Sequence, residues 1–271
     1  MAASETMRAD AALAARGLAP SRERARALIE SGLATVNGLP IDKPARRVTA
    51  DDRLAVIGDT HPYVSRGGLK LEKALSAFGV DVNGLTCVDI GASTGGFTDV
   101  LLRNGARHVY AVDVGTAQLH ESLRSHPRVT RMERMNARAL TRSMLPETPD
   151  LAVMDVSFIS IRLILPALFE LLGNGGRVIS LVKPQFEAGR QRVGKGGIVA
   201  KADVHRDVLK ELVAFTPTLG WRVVGLDFSP IAGGDGNLEF LADIVPEVHG
   251  RISVDDALIG EVVRRVHAAK L

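Results

Sequence analysis

With one cysteine in 271 residues, the chain cannot form an internal disulfide or a multi-thiolate metal site of its own. Cys87, set in an apolar run, reads as a small core residue. Long apolar runs are also missing. The best candidate, Ile161 to Leu172, is interrupted by Arg162, Pro166 and Glu170, whereas a membrane helix needs about 20 apolar residues. The N-terminus carries acids and arginines among alanines, not a basic stretch followed by an apolar core. No secretory signal or membrane association is expected, and the cytoplasm is the default location. A large excess of one charge sign is missing too: 34 basic residues face 31 acidic ones, a net +3 with pI near 9.2. That balance permits nucleic-acid binding without demanding it. The histidines lack zinc-site spacing, since His108 opens a strand, His120 and His126 flank a helix end and His205 lies in a helical run. No metal is expected. Ser65, Ser157 and Ser160 have no His and Asp companions, which leaves hydrolase chemistry without support.

What is present changes character after about sixty residues. Arg8 to Arg16 is alanine-rich and helical, and Gly17 and Pro20 break it. Ser21 can cap a second helix with Ala25, Leu28 and Ile29 on one face. Ala34 to Val36 and Leu39 to Ile41 flank Asn37-Gly38, a pair that accepts the positive φ angles of a tight hairpin turn. Arg53 to Ile57 supplies another strand, and Gly58 to Pro62 reads as a connector. From Val64 onward apolar strand candidates stand at Thr86–Ile90, His108–Asp113, Val129–Glu133, Leu151–Asp155, Arg177–Val182, Trp221–Phe228 and Phe240–Ile244. The first five alternate with helical stretches, a pattern that builds a parallel sheet covered on both faces with ligands at the strands' C-terminal ends. Only Ser229 to Glu239 separates the last two, too little for a crossover helix, so an antiparallel hairpin is expected at one sheet edge. Ser253 to Lys270 reads as a capped amphipathic helix.

The segment Asp89 to Thr98 (DIGASTGGFT) is strand, glycine turn and helix. Such a turn lets backbone approach a ligand closely and aims helix N-terminal N–H groups at it. An acid closing the next strand, Asp113, can accept hydrogen bonds from ribose hydroxyls. The spacing is not that of a dinucleotide reader. A pyrophosphate would be repelled by Asp89, whereas a cationic, methionine-like ligand would not, so S-adenosylmethionine is favoured over NAD. Gly91, Gly95 and Gly96 should line the methionine side, with Ser93 and Thr94 adding hydroxyls. Glu133, closing the third strand, can reach the adenine amino group or stand as a solvated strand end, and Phe97 touches the cofactor or belongs to an apolar helix face.

Further polar residues stand where strand ends would place them: Asp155, Lys183, and Glu239 opening the last strand, with Lys70 on the helix after the connector. In these segments the chain resembles the S4-domain-bearing RNA 2′-O-methyltransferases of the TlyA (hemolysin A-like) type, and more distantly the FtsJ-like rRNA methyltransferases. The resemblance runs over Gly17 to Ala25, Val36 to Gly38 and Asp42 to Pro44 in the first part. In the second it covers Ser65 to Lys70, Asp89 to Thr98, Asp155 to Ser160, Leu181 to Phe186 and Gly233 to Glu239. It implies a Rossmann-like class I methyltransferase sheet, mostly parallel with an antiparallel strand near one edge, preceded by a small α+β S4 RNA-binding domain. The expected division is residues 1–60 for the S4-like domain, 61–64 (His61 to Val64) for a linker and 65–271 for the methyltransferase domain.

The resemblance also implies a Lys-Asp-Lys-Glu catalytic set at Lys70, Asp155, Lys183 and Glu239, with S-adenosylmethionine as donor and a cytidine of ribosomal RNA, free or within ribosomal subunits, as acceptor. No obligate protein partner is evident. A lysine beside a ribose hydroxyl can stabilise developing negative charge or take the proton, and the sequence leaves both roles open for Lys183. RNA contacts are expected from Arg8, Ser21, Arg22, Arg24, Asn37 and Lys43 in the first domain, with Arg46 and Arg47 as further candidates. In the basic, glycine-rich segment after Lys183, Arg190, Arg192 and Lys195 are expected to meet phosphates. Residues 1–60 hold eight acids against nine bases, so a solvated surface competes with a phosphate-binding face there. A non-catalytic RNA-binding protein and a membrane-active hemolysin are the rival readings. The intact lysine and glutamate positions oppose the first, and the lack of a spanning or basic amphipathic segment opposes the second.

Overall fold

The computed structural model describes residues 6–19, 21–30, 32–56, 61–251 and 253–269, and the side chain of Arg24 is outside that description. Pro20, Ile57, most of the expected connector (residues 58–60) and Lys270 also lie outside the described residues. The chain divides into two compact units, Met1–Pro62 and Tyr63–Leu271.

The first unit runs β1 (Met7–Arg8), α1 (Ala9–Ala15), α2 (Arg22–Glu30), β2 (Ala34–Val36), β3 (Leu39–Pro40), β4 (Arg47–Val48) and β5 (Leu54–Val56). Strand β2 pairs antiparallel with β3 on one side and β5 on the other, while β1 pairs with β4. The hairpin turn forms as its residues demand, with Asn37 at φ 52° and Gly38 at φ 82°. Leu13, Ala25, Leu28, Ile29, Val36 and Ile41 are buried together, so the helix faces marked by apolar spacing do meet the small sheet.

The second unit opens with α3 (Gly68–Phe78) and continues as β6 (Thr86–Ile90), α4 (Gly96–Arg103), β7 (His108–Val112), α5 (Glu121–Arg124), β8 (Val129–Met132) and β9 (Leu151–Met154). It then runs α6 (Leu165–Leu172), β10 (Arg177–Val182), α7 (Pro184–Glu187), α8 (Ala202–Phe215), β11 (Trp221–Phe228), β12 (Phe240–Pro246) and α9 (Asp256–Ala268). These strands form one sheet of order β11-β12-β10-β9-β6-β7-β8. Five are parallel neighbours, and β12 runs antiparallel to both β10 and β11. Tyr63 and Val64, within the expected linker, are built into this unit: Tyr63 packs in its core and the Val64 N–H donates to Asp99 at 2.9 Å.

One crossing departs from expectation. Between β8 and β9 there are only two 3₁₀ turns, Ala137–Ala139 and Arg142–Met144, not a helix. Pro146 and Pro149 deny a helix its N–H donors, and buried Leu140 and Leu145 plug the core without one. Among the described residues no helix is long and apolar enough to cross a membrane.

The topology gathers the chemistry on one rim. Gly91, Asp113, Glu133, Asp155 and Lys183 each directly follow a parallel strand. Because β12 runs the other way, its beginning, not its end, lies there: Phe240 pairs with Val182, and Glu239 arrives beside Lys183.

Candidate active site

Four charged side chains form a chain of contacts. Lys70 Nζ donates to Glu239 Oε2 at 2.6 Å and lies 3.7 Å from Asp155 Oδ2. Lys183 Nζ is 2.6 Å from Asp155 Oδ1 and donates to Ser157 Oγ at 3.0 Å. Asp155 thus bridges the two lysines. Its contact with Lys183 is an ion pair out of hydrogen-bond alignment, so the sheltered Oδ1 accepts no hydrogen bond. Lys70, Lys183 and Glu239 are buried, Glu239 to 2% exposure. Two cations and two anions balance there. Removing either charge of a buried pair costs about 3–5 kcal/mol, so such a group is expensive to keep without purpose.

The glycine loop stands beside this cluster. Gly91 and Ala92 donate to Val112 O at 2.9 and 3.1 Å, and Gly91 adopts φ 79°. A Cβ there would lie 2.5 Å from the Asp155 carbonyl oxygen, so the loop touches the Asp155 strand end only because it has glycine. Asp113 organises the loop's other side, accepting from the Ser93 N–H at 2.8 Å and the Gly115 N–H at 2.7 Å. Each oxygen keeps a second lone pair for a ribose hydroxyl. Glu133 accepts from the Ala117 N–H at 3.1 Å and faces Arg131 at 3.7 Å.

A cleft of about 190 Å³ is lined by Ser65, Gly91, Ser93, Thr94, Asp155 and Lys183, with Gly96 and Phe97 among its other walls. Phe97 lines the cleft and also packs in the core beside Val100 and Leu101. Beneath the loop Asp89 is fully buried. Thr98 Oγ1 donates to its Oδ2 at 2.7 Å, yet its Oδ1 has no partner, and burial pushes its carboxyl up to about 7. A buried carboxyl with one oxygen unpartnered suits a cationic ligand nearby, which would favour its ionised form where a pyrophosphate would oppose it. The depression between Asp113 and Glu133 is only about 10 Å³, so an adenine enters it only if exposed Gln118 and Arg131 swing aside.

The expected RNA contacts are more dispersed. Arg8 and Arg22 both sit on Asp10, at 3.0 and 3.2 Å, and the Arg8 hydrogen bond brings that carboxyl down to about 2. The Asn37 amide donates to Asp52 at 2.7 Å and accepts from the Arg53 N–H at 2.8 Å, which commits it to the hairpin. Ser21 and Lys43 are exposed. In the second unit Arg190 and Lys195 are exposed, whereas Arg192 donates to Ala188 O at 2.7 Å and pairs with Asp207 and Glu211 at 3.3 and 2.9 Å. The three basic residues should therefore separate. Lys195→Ala should lower the slope of log affinity for RNA against log salt by about one unit. Arg192→Ala should leave that slope unchanged and lower the melting temperature. Equal slope losses in a salt titration would contradict this division.

Sequence reasoning passed over two groups here. Ser157 was weighed only as a nucleophile, yet it holds Lys183; its position two residues after the strand-ending Asp155 was the available signal. Asn237, two residues before Glu239, is 1% exposed and carried no signal of its own, since a glycine-rich turn explains an asparagine without further purpose.

The FtsJ-like methyltransferase family model matches residues 63–244, and the S4 domain model matches residues 7–54. The Bacillus subtilis protein YqxC is 52% identical over 239 residues, covering 88% of this chain and 85% of its own. The 16S/23S rRNA (cytidine-2′-O)-methyltransferase TlyA of Mycobacterium tuberculosis is 46% identical over 234 residues, 86% of this chain and 87% of that protein. A solved Streptococcus thermophilus structure bearing the hemolysin label has 46% identity and a TM-score of 0.78, covering 98% of this chain and 97% of that one.

Proposed function

We propose that this chain, which belongs to the FtsJ-like methyltransferase family and carries an S4 domain, methylates a ribose 2′-hydroxyl of ribosomal RNA. S-adenosylmethionine is the donor, a cytidine the target, ribosomal subunits the substrate and the cytoplasm the location. The observation that carries the reading is the Lys70, Asp155, Lys183 and Glu239 cluster at the glycine-loop cleft.

Bound S-adenosylmethionine supplies an electrophilic methyl group on a positively charged sulfur. Gly91 and Gly96 line the cleft that would hold it, Gly95 lets the loop pack on Leu119 and Leu123, Asp89 would favour its positive charge, and Asp113 would accept from its ribose. Ser93 and Thr94 offer hydroxyls along the cleft, and Glu133 stands at the adenine end. The protein's tasks are then alignment and charge. Holding the hydroxyl oxygen in line with the methyl carbon is worth on the order of 7–11 kcal/mol in favourable cases. As the O–C bond forms, the methyl–sulfur bond would break with its electron pair going to sulfur, and the hydroxyl proton would leave to solvent water while negative charge grows on oxygen. Lys183 Nζ would meet that charge, held in place by Asp155, whose sheltered Oδ1 lies 2.6 Å from it. Lys70, itself held by Glu239, faces the other oxygen of Asp155. Arg190, Lys195, Lys43 and the Arg8 and Arg22 pair contact RNA phosphates.

The test supplies the protein with methyl-labelled cofactor and separated ribosomal subunits from a strain lacking the modification. Label should map to the 2′-oxygen of a cytidine. Label on a base, or none on any RNA, overturns the proposal.

A further inference from the structure

Asn237 lies in a turn it helps to close. Its carbonyl accepts from the Gly233 N–H at 2.9 Å, and at the base of the turn the Ser229 N–H donates to Glu239 O at 2.9 Å. Its buried side chain faces away from the turn, into the chain that follows the basic segment. Nδ2 donates to Gly197 O at 3.0 Å and Oδ1 accepts from the Val199 N–H at 2.9 Å, so one amide grips the same strip of backbone twice. The carbonyl of Val199 is held as well, by fully buried His205 Nε2 at 2.9 Å. A carbonyl only accepts, so Nε2 carries the proton, and Nδ1 then accepts from His267 Nε2 at 2.9 Å. The Val199 peptide is therefore clamped on both sides, by the Glu239 turn and by α8 backed by α9.

The stretch on the other side of this clamp is exposed and basic. Between Gly189 at φ 78° and Gly196 and Gly197 at φ 73° and 80°, Arg190 and Lys195 face solvent. Its near end is tied down by Arg192 and its far end by Asn237. The turn packs directly against Glu239: a Cβ on Gly233 would lie 2.7 Å from Glu239 Oε1, so Gly233 and the carboxylate are close neighbours. A shift of the basic segment at Gly197 thus reaches, through one side chain, the turn whose carboxylate holds Lys70.

We propose that Asn237, with His205 as its support, is a positioning residue that transmits RNA contact at residues 190–197 to the Glu239–Lys70 pair. The inference rests on the methyltransferase reading above. RNA backbone on Arg190 and Lys195 sets the segment, the Val199 clamp sets the turn, and the turn aligns Glu239. Neither residue touches substrate.

The test measures single-turnover methylation of ribosomal subunits at saturating RNA and cofactor, with cofactor affinity measured separately. Asn237→Ala should slow the single-turnover rate at least about tenfold and leave the cofactor Kd within about twofold. Lys195→Ala should slow the native protein at saturating RNA, and the same substitution made on Asn237→Ala should add no further slowing. His205→Gln, whose amide can still donate to Val199 O, should keep near-native rates where His205→Leu does not; this pair reads the clamp should Asn237→Ala fold poorly. Independent, multiplying effects of Lys195→Ala and Asn237→Ala, or equal rates in the two His205 variants, overturn the inference. Absence of methylation by the native protein would instead sink the underlying functional reading.

Discussion

Replacing Lys183 by alanine should lower methyl transfer by about a thousandfold or more while cofactor affinity stays within a few-fold of native. A thousandfold corresponds to about 4 kcal/mol of barrier, the size of effect seen when a donor aimed at a developing oxyanion is removed. Lys183 Nζ is held between Asp155 at 2.6 Å and Ser157 at 3.0 Å, in a cleft whose other walls include the glycine-loop residues proposed to hold the cofactor. The truncation therefore removes a cation from beside the acceptor oxygen without emptying the cofactor's contacts. It also leaves Asp155 with only the 3.7 Å contact to Lys70, so a smaller part of the loss comes from a misplaced carboxylate. Lys183→Arg separates charge from proton uptake, because a guanidinium keeps the first and cannot perform the second. Since Lys183 is held as a paired cation, we expect Lys183→Arg to recover at least about tenfold over alanine. An arginine variant as inactive as alanine would make Lys183 the proton acceptor. Turnover of Lys183→Ala within about tenfold of native would remove it from the mechanism altogether.

Why the site was legible from sequence follows from topology. A parallel strand ends on the ligand side, so Asp113, Asp155 and Lys183 could be placed on one rim by finding apolar runs and reading the residue after each. Glu239 needed one more inference, that the last strand runs backwards and so begins on that rim. The partners were not legible. Asp155 bridging both lysines, Ser157 under Lys183 and Asn237 gripping Gly197 and Val199 depend on side-chain directions that strand periodicity does not encode. The missing helix between β8 and β9 shows the other limit. Helical spacing was assumed from the alternation of the neighbouring units, although Pro146 and Pro149 stood there to prevent it. The arginines mark a third boundary, since composition counts charges without showing which are paired. Arg192 lies in the same basic segment as Lys195 and is held by Asp207 and Glu211.

Gly91→Ala should damage cofactor binding, catalysis and stability together, in contrast to the selective loss at Lys183. The position has φ 79°, a conformation that costs a non-glycine residue on the order of 1–3 kcal/mol. Its new Cβ would also lie 2.5 Å from the Asp155 carbonyl oxygen and 3.2 Å from Val156 Cγ1. Neither side can yield freely. The Gly91 N–H is bonded to Val112 O at 2.9 Å and the Asp155 N–H to Ile90 O at 3.0 Å, so relief must come from pushing the loop and the catalytic strand end apart. With about 1–3 kcal/mol added for overpacking, and about 2–4 °C of melting temperature per kcal/mol for a unit of this size, Tm should fall by roughly 4–24 °C. Cofactor Kd should rise at least about tenfold as the loop leaves its place, and kcat should fall at least about a hundredfold as Asp155 turns from Lys183. Gly234→Ala is the matched control: it lacks a positive φ, and the nearest atom to its Cβ is Arg66 Nη2 at 4.0 Å, so Tm and Kd should stay native. If calorimetry and cofactor titration find Gly91→Ala indistinguishable from Gly234→Ala, the close approach of the glycine loop to Asp155 is not what builds the site.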